Sequence, residues 1–259
     1  MLIGAMNHPA EPILAEMAWM AEMGLDFIDL TLEPPAAASW RADAAAVRAG
    51  LARHGLTTVG HTAYYLPLAS PFEEVRQAAV AELRRCLGVF AAVGVRWMNI
   101  HPDRTVPMHD RSYLVQANLQ SLSDLLPQAR ALGVGLMIEN VPGEWNSAAQ
   151  LGDLLEPLPE LGLHLDLGHT NLQAPPDTVE RILAAHAGRL RHVHLHDNKG
   201  GSADLHLPLG AGNVDLDRGL RALRAHGYDG TITLEVFSPD RRLLAFSRDR
   251  LREAWDRLG

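Results

Sequence analysis

A chain of 259 residues, 47% hydrophobic and 21% charged, has the composition of an ordinary folded protein and enough length to bury a core without covalent staples. Its 31 acidic against 23 basic residues give a formal charge of −8, and Lys199 is the only lysine, so the chain is a poor generic partner for phosphate backbones, although a local basic rim leaves nucleic acid open. The single cysteine, Cys86, excludes an internal disulfide, no run of about 18 uncharged apolar residues offers a membrane span, and LIGAMN directly after Met1 lacks the pattern of a signal peptide, so a cytoplasmic protein is expected.

In chain order, a strand is predicted at 2–7 and a helix at 11–23, then a strand at 26–31 and a helix at 40–54. The pairs repeat as 57–62 with 72–92, 97–101 with 111–132, and 135–140 with 147–155. They finish as 162–167 with 178–187, 191–196 with 215–226, and 231–236 with 241–257. The strands are short β-type runs. The helices, such as AEPILAEMAWMAEMG and FEEVRQAAVAELRRCLGVFAAVG, carry apolar residues at helical spacing on one side and charges on the other. Cys86 lies in the second of these and is expected to be a small buried hydrophobe. Gly24, Gly55, Gly94, Gly133 and Gly227 stop helices just before a new strand. Eight strands alternating with eight helices predict an α/β fold, a parallel sheet closed into a (β/α)8 TIM barrel, forming a single domain over 1–259. An open doubly wound sheet is the alternative, but it usually has fewer strands, and no G-x-G-x-x-G follows the first strand.

Nine side chains of metal-binding type stand where predicted strands end or just beyond: His61, His101, Glu139, Asp166, His169, His194, Asp204, His206 and Glu235. In a (β/α)8 barrel the strand ends form one rim, where active sites sit. Imidazoles and carboxylates without thiolate suit Zn, Mn or Co, and one to three divalent ions are expected. Each residue also has a plain structural reading: a rim histidine that only hydrogen-bonds, or a glutamate that binds backbone or arginine. Their joint placement favours metal. His192, His194 and His196 alternate along one strand face, and His194 is preferred as the ligand because it stands three before Asp197. Glu139 and Glu235, on opposite sides of the mouth, are expected to serve as general base and acid as well as ligands. Lys199 in the DNKGGS loop is a candidate to hold a phosphate, with a simple turn as the alternative. Tyr64, with Tyr65, and Trp145 are candidates to stack on a sugar or base, with rim packing as the alternative.

The segments HTAYYLPLAS, NIHPD, IENVPG, HLDLGHTN, HVHLHDNKGG, DLHLPLGAGNVD and TLEVF, in that order, resemble the xylose isomerase-like TIM-barrel superfamily, which includes sugar isomerases, ketose epimerases and endonuclease IV. The resemblance implies that Glu139, Asp166, His194 and Glu235 are the ligands shared by epimerases and nuclease. It further implies that His61, His101, His169, Asp204 and His206 match the remaining ligands of a three-metal site. Gly200 stands where ketose 3-epimerases carry a substrate-gripping arginine, and Trp145 where they carry an accessory glutamate, which argues against a ketohexose 3-epimerase. The expected activity is therefore a divalent-metal-dependent isomerase or epimerase acting on a small sugar, sugar phosphate or polyol-derived ketone. The alternative is a phosphodiesterase of endonuclease IV type acting on abasic DNA. A small-molecule sugar is the expected partner, and association into a homo-oligomer stays open.

Overall fold

In the computed structural model, which describes residues 1–258, eight parallel strands close into a barrel in the order β1 to β8, with β1 pairing back to β8. The elements are β1 (Leu2–Met6), α1 (Ile13–Glu22), β2 (Phe27–Leu32), α2 (Ala44–His54), β3 (Thr57–Thr62) and α3 (Glu73–Val93). They continue as β4 (Trp97–Ile100), α4 (Arg111–Leu132), β5 (Gly135–Glu139), α5 (Ala148–Leu155), β6 (Gly162–Asp166) and α6 (Thr178–His186). β7 (Leu190–Leu195), α7 (Leu216–Ala225), β8 (Thr231–Leu234) and α8 (Arg241–Asp256) complete the chain. The predicted elements are all present, and the main differences lie at their ends. The helix read from residue 40 begins at Ala44 because the Asp43 side chain accepts the Ala46 N–H and caps it there. β4 and β8 stop at Ile100 and Leu234, so His101 and Glu235 lie one residue beyond the ladder. Cys86 is buried in the apolar layer, as its helical setting implies.

Alternation along the strands builds two environments. Ile28, Leu30 and Leu32 of β2, Leu163 and Leu165 of β6, Val193 and Leu195 of β7, and Ile232 and Leu234 of β8 are buried with the helix side chains in one large apolar cluster. The residues between them are polar yet equally buried: Asp29 and Thr31, His164 and Asp166, His192 and His194, Thr233. These alternate positions face the barrel interior. Phe27, Val59 and Met137, with Trp97 packed against them, form a small separate apolar cluster at the start of the strands. Space for it comes from glycine, since a Cβ on Gly4 would lie 2.5 Å from Phe27 O and one on Gly135 would lie 2.4 Å from the Trp97 ring. The barrel is thus sealed with apolar side chains at one end and filled with ionisable ones towards the other.

The long loop 197–215, between β7 and α7, is anchored by one carboxylate. Asp197, almost fully buried, accepts the backbone N–H groups of Asn198, Gly210, Gly212 and Val214 at 2.7–3.0 Å. It also exchanges backbone hydrogen bonds with Leu207. A Cβ on Gly212 would lie 2.0 Å from Asn198 O, so the loop closes on itself more tightly than any larger residue permits. No helix among the described residues is long and apolar enough to cross a membrane. Asp197→Ala strips four backbone donors of their acceptor. It is expected to lower stability by about 3 kcal/mol, read as a lower urea midpoint with unchanged slope; an unchanged midpoint would show that the loop is held otherwise.

Candidate metal centre

The barrel end brings the nine predicted side chains into three adjoining groups. Glu139, Asp166, His194 and Glu235, delivered by β5, β6, β7 and the residue after β8, each offer a ligand atom within 4.8 Å of the others. His61 of β3 and His101 after β4 form a second such group with the same Glu139. His169, Asp204 and His206 form a third, which also contains His196.

Within the first two groups, His101 Nε2 lies 2.9 Å from Glu139 Oε2, and Asn99 Nδ2 donates to the same oxygen at 2.7 Å. His194 stands between two carboxylates, its Nδ1 3.1 Å from Glu235 Oε2 and its Nε2 2.7 Å from Asp29 Oδ2. Thr233 Oγ1 donates to that same Asp29 oxygen at 3.0 Å. The Asn140 side chain accepts the Asp166 N–H and donates to Asp166 O, which fixes the end of β6.

Charge sets the protonation of these groups. Burial pushes His61 down to about 4, so its imidazole is neutral near pH 7. Burial works the other way on Glu139, but the His164, His101 and His194 imidazoles outweigh it and hold the carboxyl well below the usual range. Glu235 is lowered to about 2 because His194 outweighs burial. His169 is raised to about 10, the carboxylates of Asp166, Asp204 and Glu139 overcoming its burial.

The fit to a cation rests on atoms left without a partner. Asp166 Oδ2, both ring nitrogens of His61, His101 Nδ1 and His196 Nε2 are buried and have no hydrogen bond. Buried polar atoms without partners cost about 1–3 kcal/mol each, and a divalent ion would satisfy several at once. Nitrogen and oxygen donors without sulfur suit zinc, manganese or cobalt, so these residues fit the group expected of them.

A cavity of about 1010 Å³ opens over these groups, with His61, His101, Glu139, His169, Asp204, His206 and Glu235 in its wall and Tyr64 at its rim. Trp145 and Lys199 are not in that wall. The expectation that Trp145 stacks on a ligand is corrected: it is fully buried, its Nε1 donates to Asp103 O at 2.7 Å, and the Arg111 guanidinium covers its ring. Lys199 is likewise corrected. It is exposed on the 197–215 loop, does not line the cavity, and its carbonyl serves as an acceptor for Asn213.

Of four further buried residues, Asp29 and His164 were not singled out in the sequence, and His192 and His196 only as alternates to the preferred His194. The signal for them is two-residue spacing. Asp29 sits within an otherwise apolar FIDLTL, His164 two before Asp166, and His192 and His196 two either side of His194. His192 is held by Thr231 and Thr233 hydroxyls, and its ring meets Phe27 edge-on, so it belongs to the barrel filling. His164 lies against the His194 ring and 3.2 Å from Glu139 Oε2.

Asp29→Asn removes the carboxylate that orients His194, and is expected to weaken divalent-ion uptake about 10–100-fold in a chelator competition; unchanged affinity would make Asp29 mere filling. Ion uptake by stripped protein at about pH 7 is expected to release protons, because the raised His169 holds one that a ligand cannot keep. Affinity should therefore climb with pH, and calorimetry in buffers of different ionisation enthalpy reads the release directly.

Comparison with known proteins agrees with this architecture. The chain is 31% identical over 179 residues to an uncharacterized protein of Methanocaldococcus jannaschii, a match spanning 64% of this chain but only 59% of that protein. It is 28% identical to a protein named probable endonuclease 4 of Mycobacterium bovis, over 96% of this chain and 99% of the relative. It is also 28% identical to a ketose 3-epimerase of Arthrobacter globiformis, over 92% and 82%. The crystal structure of a D-tagatose 3-epimerase-like protein superposes with a TM-score of 0.89 at 24% identity, covering 100% of this chain and 98% of the other, a likeness of fold. The family model for the xylose isomerase-like TIM barrel matches residues 17–257, and the chain belongs to that family.

Proposed function

We propose that this protein is a divalent-metal-dependent isomerase or epimerase acting on a small sugar or sugar-derived ketone. The observation that carries the reading is the pair Glu139 and Glu235, buried carboxylates of one four-residue group in the wall of a cavity large enough for a sugar. The 28% identity to a ketose 3-epimerase over most of both chains supports it. Glu139, Asp166, His194 and Glu235 would hold one ion, His61 and His101 with Glu139 a second, and His169, Asp204 and His206 a third. A bound divalent ion supplies positive charge beside oxygens on which negative charge develops.

The chain's own residues handle the proton. One of the two glutamates, held as a carboxylate, accepts the proton from the carbon beside the substrate carbonyl. The C–H electron pair becomes the new C=C bond, and the carbonyl pair moves onto oxygen as an enediolate. Water beside the other glutamate returns a proton to carbon on the opposite face, which inverts the centre, and the proton on the first glutamate passes to solvent and neutralises the hydroxide left behind. Asn99 and Asp29 keep Glu139 and His194 in register through the hydrogen bonds at 2.7 Å. Tyr64 at the rim gives an apolar surface against which a sugar ring can stack.

A phosphodiesterase of endonuclease 4 type is the second reading, favoured by the three adjoining ligand groups and by the 28% identity to that relative over nearly the whole chain. The formal charge of −8 and the single lysine speak against a DNA partner.

Metal-loaded protein incubated with a panel of ketoses and ketoglycosides in D₂O is expected to place deuterium at the carbon beside the carbonyl. Glu139→Gln and Glu235→Gln should each slow exchange by at least about 100-fold, and a chelator should abolish it. Cleavage of an abasic duplex with no deuterium entering any sugar would replace this reading with the second one.

A further inference from the structure

The third group differs from the other two in how its imidazoles are set. His169 Nδ1 lies 2.7 Å from Asn140 O, His206 Nδ1 3.2 Å from Glu235 O, and His196 Nδ1 3.3 Å from Asp197 O. A carbonyl oxygen only accepts, so all three rings carry a proton on Nδ1 and turn Nε2 towards the group. All three Nε2 atoms converge on one carboxylate. His169 Nε2 and His206 Nε2 lie 3.1 and 3.2 Å from Asp204 Oδ2, and His196 Nε2 lies 3.4 Å from Asp204 Oδ1. A tetrahedron with metal–nitrogen arms of about 2.1 Å has edges of about 3.4 Å; His169 and His206 Nε2 lie 3.1 and 3.2 Å from Asp204 Oδ2, and all four residues offer atoms within 4.8 Å of one another.

His196 is the informative member. It is completely buried, its Nε2 has no hydrogen-bond partner, and its ring fits only because residue 168 is glycine, where a Cβ would lie 2.3 Å from that nitrogen. His196 thus turns an imidazole nitrogen, sealed from water, into a group of possible ligand atoms. His206 adds a second sign, since its backbone sits at φ 45°, a left-handed conformation that non-glycine residues adopt at some cost.

We propose that His196 is the fourth protein ligand of a closed site, formed with His169, Asp204 and His206, that holds a zinc-like divalent ion as a structural staple. Three imidazoles and a carboxylate fill a tetrahedral shell and leave no position for water or substrate, the mark of a structural rather than a catalytic site. The staple joins the turn after β6, the end of β7 and the 197–215 loop. Asp197 pins the base of that loop, whereas Asp204 and His206 pin the part that walls the cavity. The two inner groups are left to do the chemistry, and the outer ion gives the mouth its shape.

The inference rests on the reading that this barrel end binds cations, but not on the reaction proposed for it. The test uses full-length protein, stripped, reloaded with zinc or cobalt(II), and dialysed. Metal content is read by mass spectrometry, coordination by the visible spectrum of the cobalt form, and loop order by limited proteolysis. His196→Gln and Asp204→Asn are each expected to lose one tightly held ion and the intense tetrahedral cobalt absorption. Cleavage within 197–215 should rise at least about ten-fold, in line with a loss of affinity of that order or more. Asp204 lies at the cavity edge, so its variant removes a ligand without disturbing the core. If Asp204→Asn loses an ion while His196→Gln keeps the full number and the same spectrum, the site has an open fourth position and the proposal is overturned. Equal metal content in wild type and both variants would remove the outer site altogether. A protein that turns over no sugar but shows the predicted losses would fail the proposed reaction and leave the staple standing.

Discussion

Everything at this end of the barrel follows from the burial of carboxylates largely out of solvent. Asp29, Glu139, Asp166 and Glu235 lie almost entirely out of solvent inside one strand bundle. A charged group so placed is strongly disfavoured unless opposite charge and hydrogen-bond donors surround it. The chain meets this with imidazoles. His194 bridges Asp29 to Glu235, His101 faces Glu139, and His169 faces Asp166. Even so, several donor atoms remain without partners, which is the condition a divalent cation relieves.

The rest of the fold serves that constraint. Apolar residues at alternate strand positions bind the helices, freeing the inward positions for ionisable ones. The Phe27, Val59 and Met137 cluster closes the opposite end of the barrel, so the polar filling borders water only at the mouth. Loop 197–215 brings Asp204 and His206 over the rim, held at its base by the four N–H donors of the Asp197 cradle. Asp29 illustrates the economy of the arrangement. It comes from β2, a strand that contributes no member of the three ligand groups, and meets a histidine 165 positions away.

Much of this was legible in the sequence because the governing signals are local. Apolar runs of strand length ending in His, Asp or Glu, punctuated by glycine stops such as Gly55, Gly94 and Gly133, indicate strand, rim and helix end within a few residues of each other. What stayed hidden depends on pairing across the barrel. Asp29 in FIDLTL looks like a lone charge in an apolar strand until β7 and β8 bring His194 and Thr233 beside it. His196 looked like a spare member of an alternating triplet, and its role appears only when Asp204 and His206 return over it. Trp145 shows the converse, since an aromatic residue soon after a strand end looks like a stacking surface yet turns inward to Asp103.

The central claim is that this barrel end is a cation centre, and anomalous X-ray scattering from crystals equilibrated with zinc or manganese tests it most directly. Peaks are expected among Glu139, Asp166, His194 and Glu235, with His194 Nδ1 turned to the ion and Nε2 still on Asp29. Crystals that show no anomalous density there, with His194 still paired to Asp29 and Glu235 and His101 to Glu139, would contradict it.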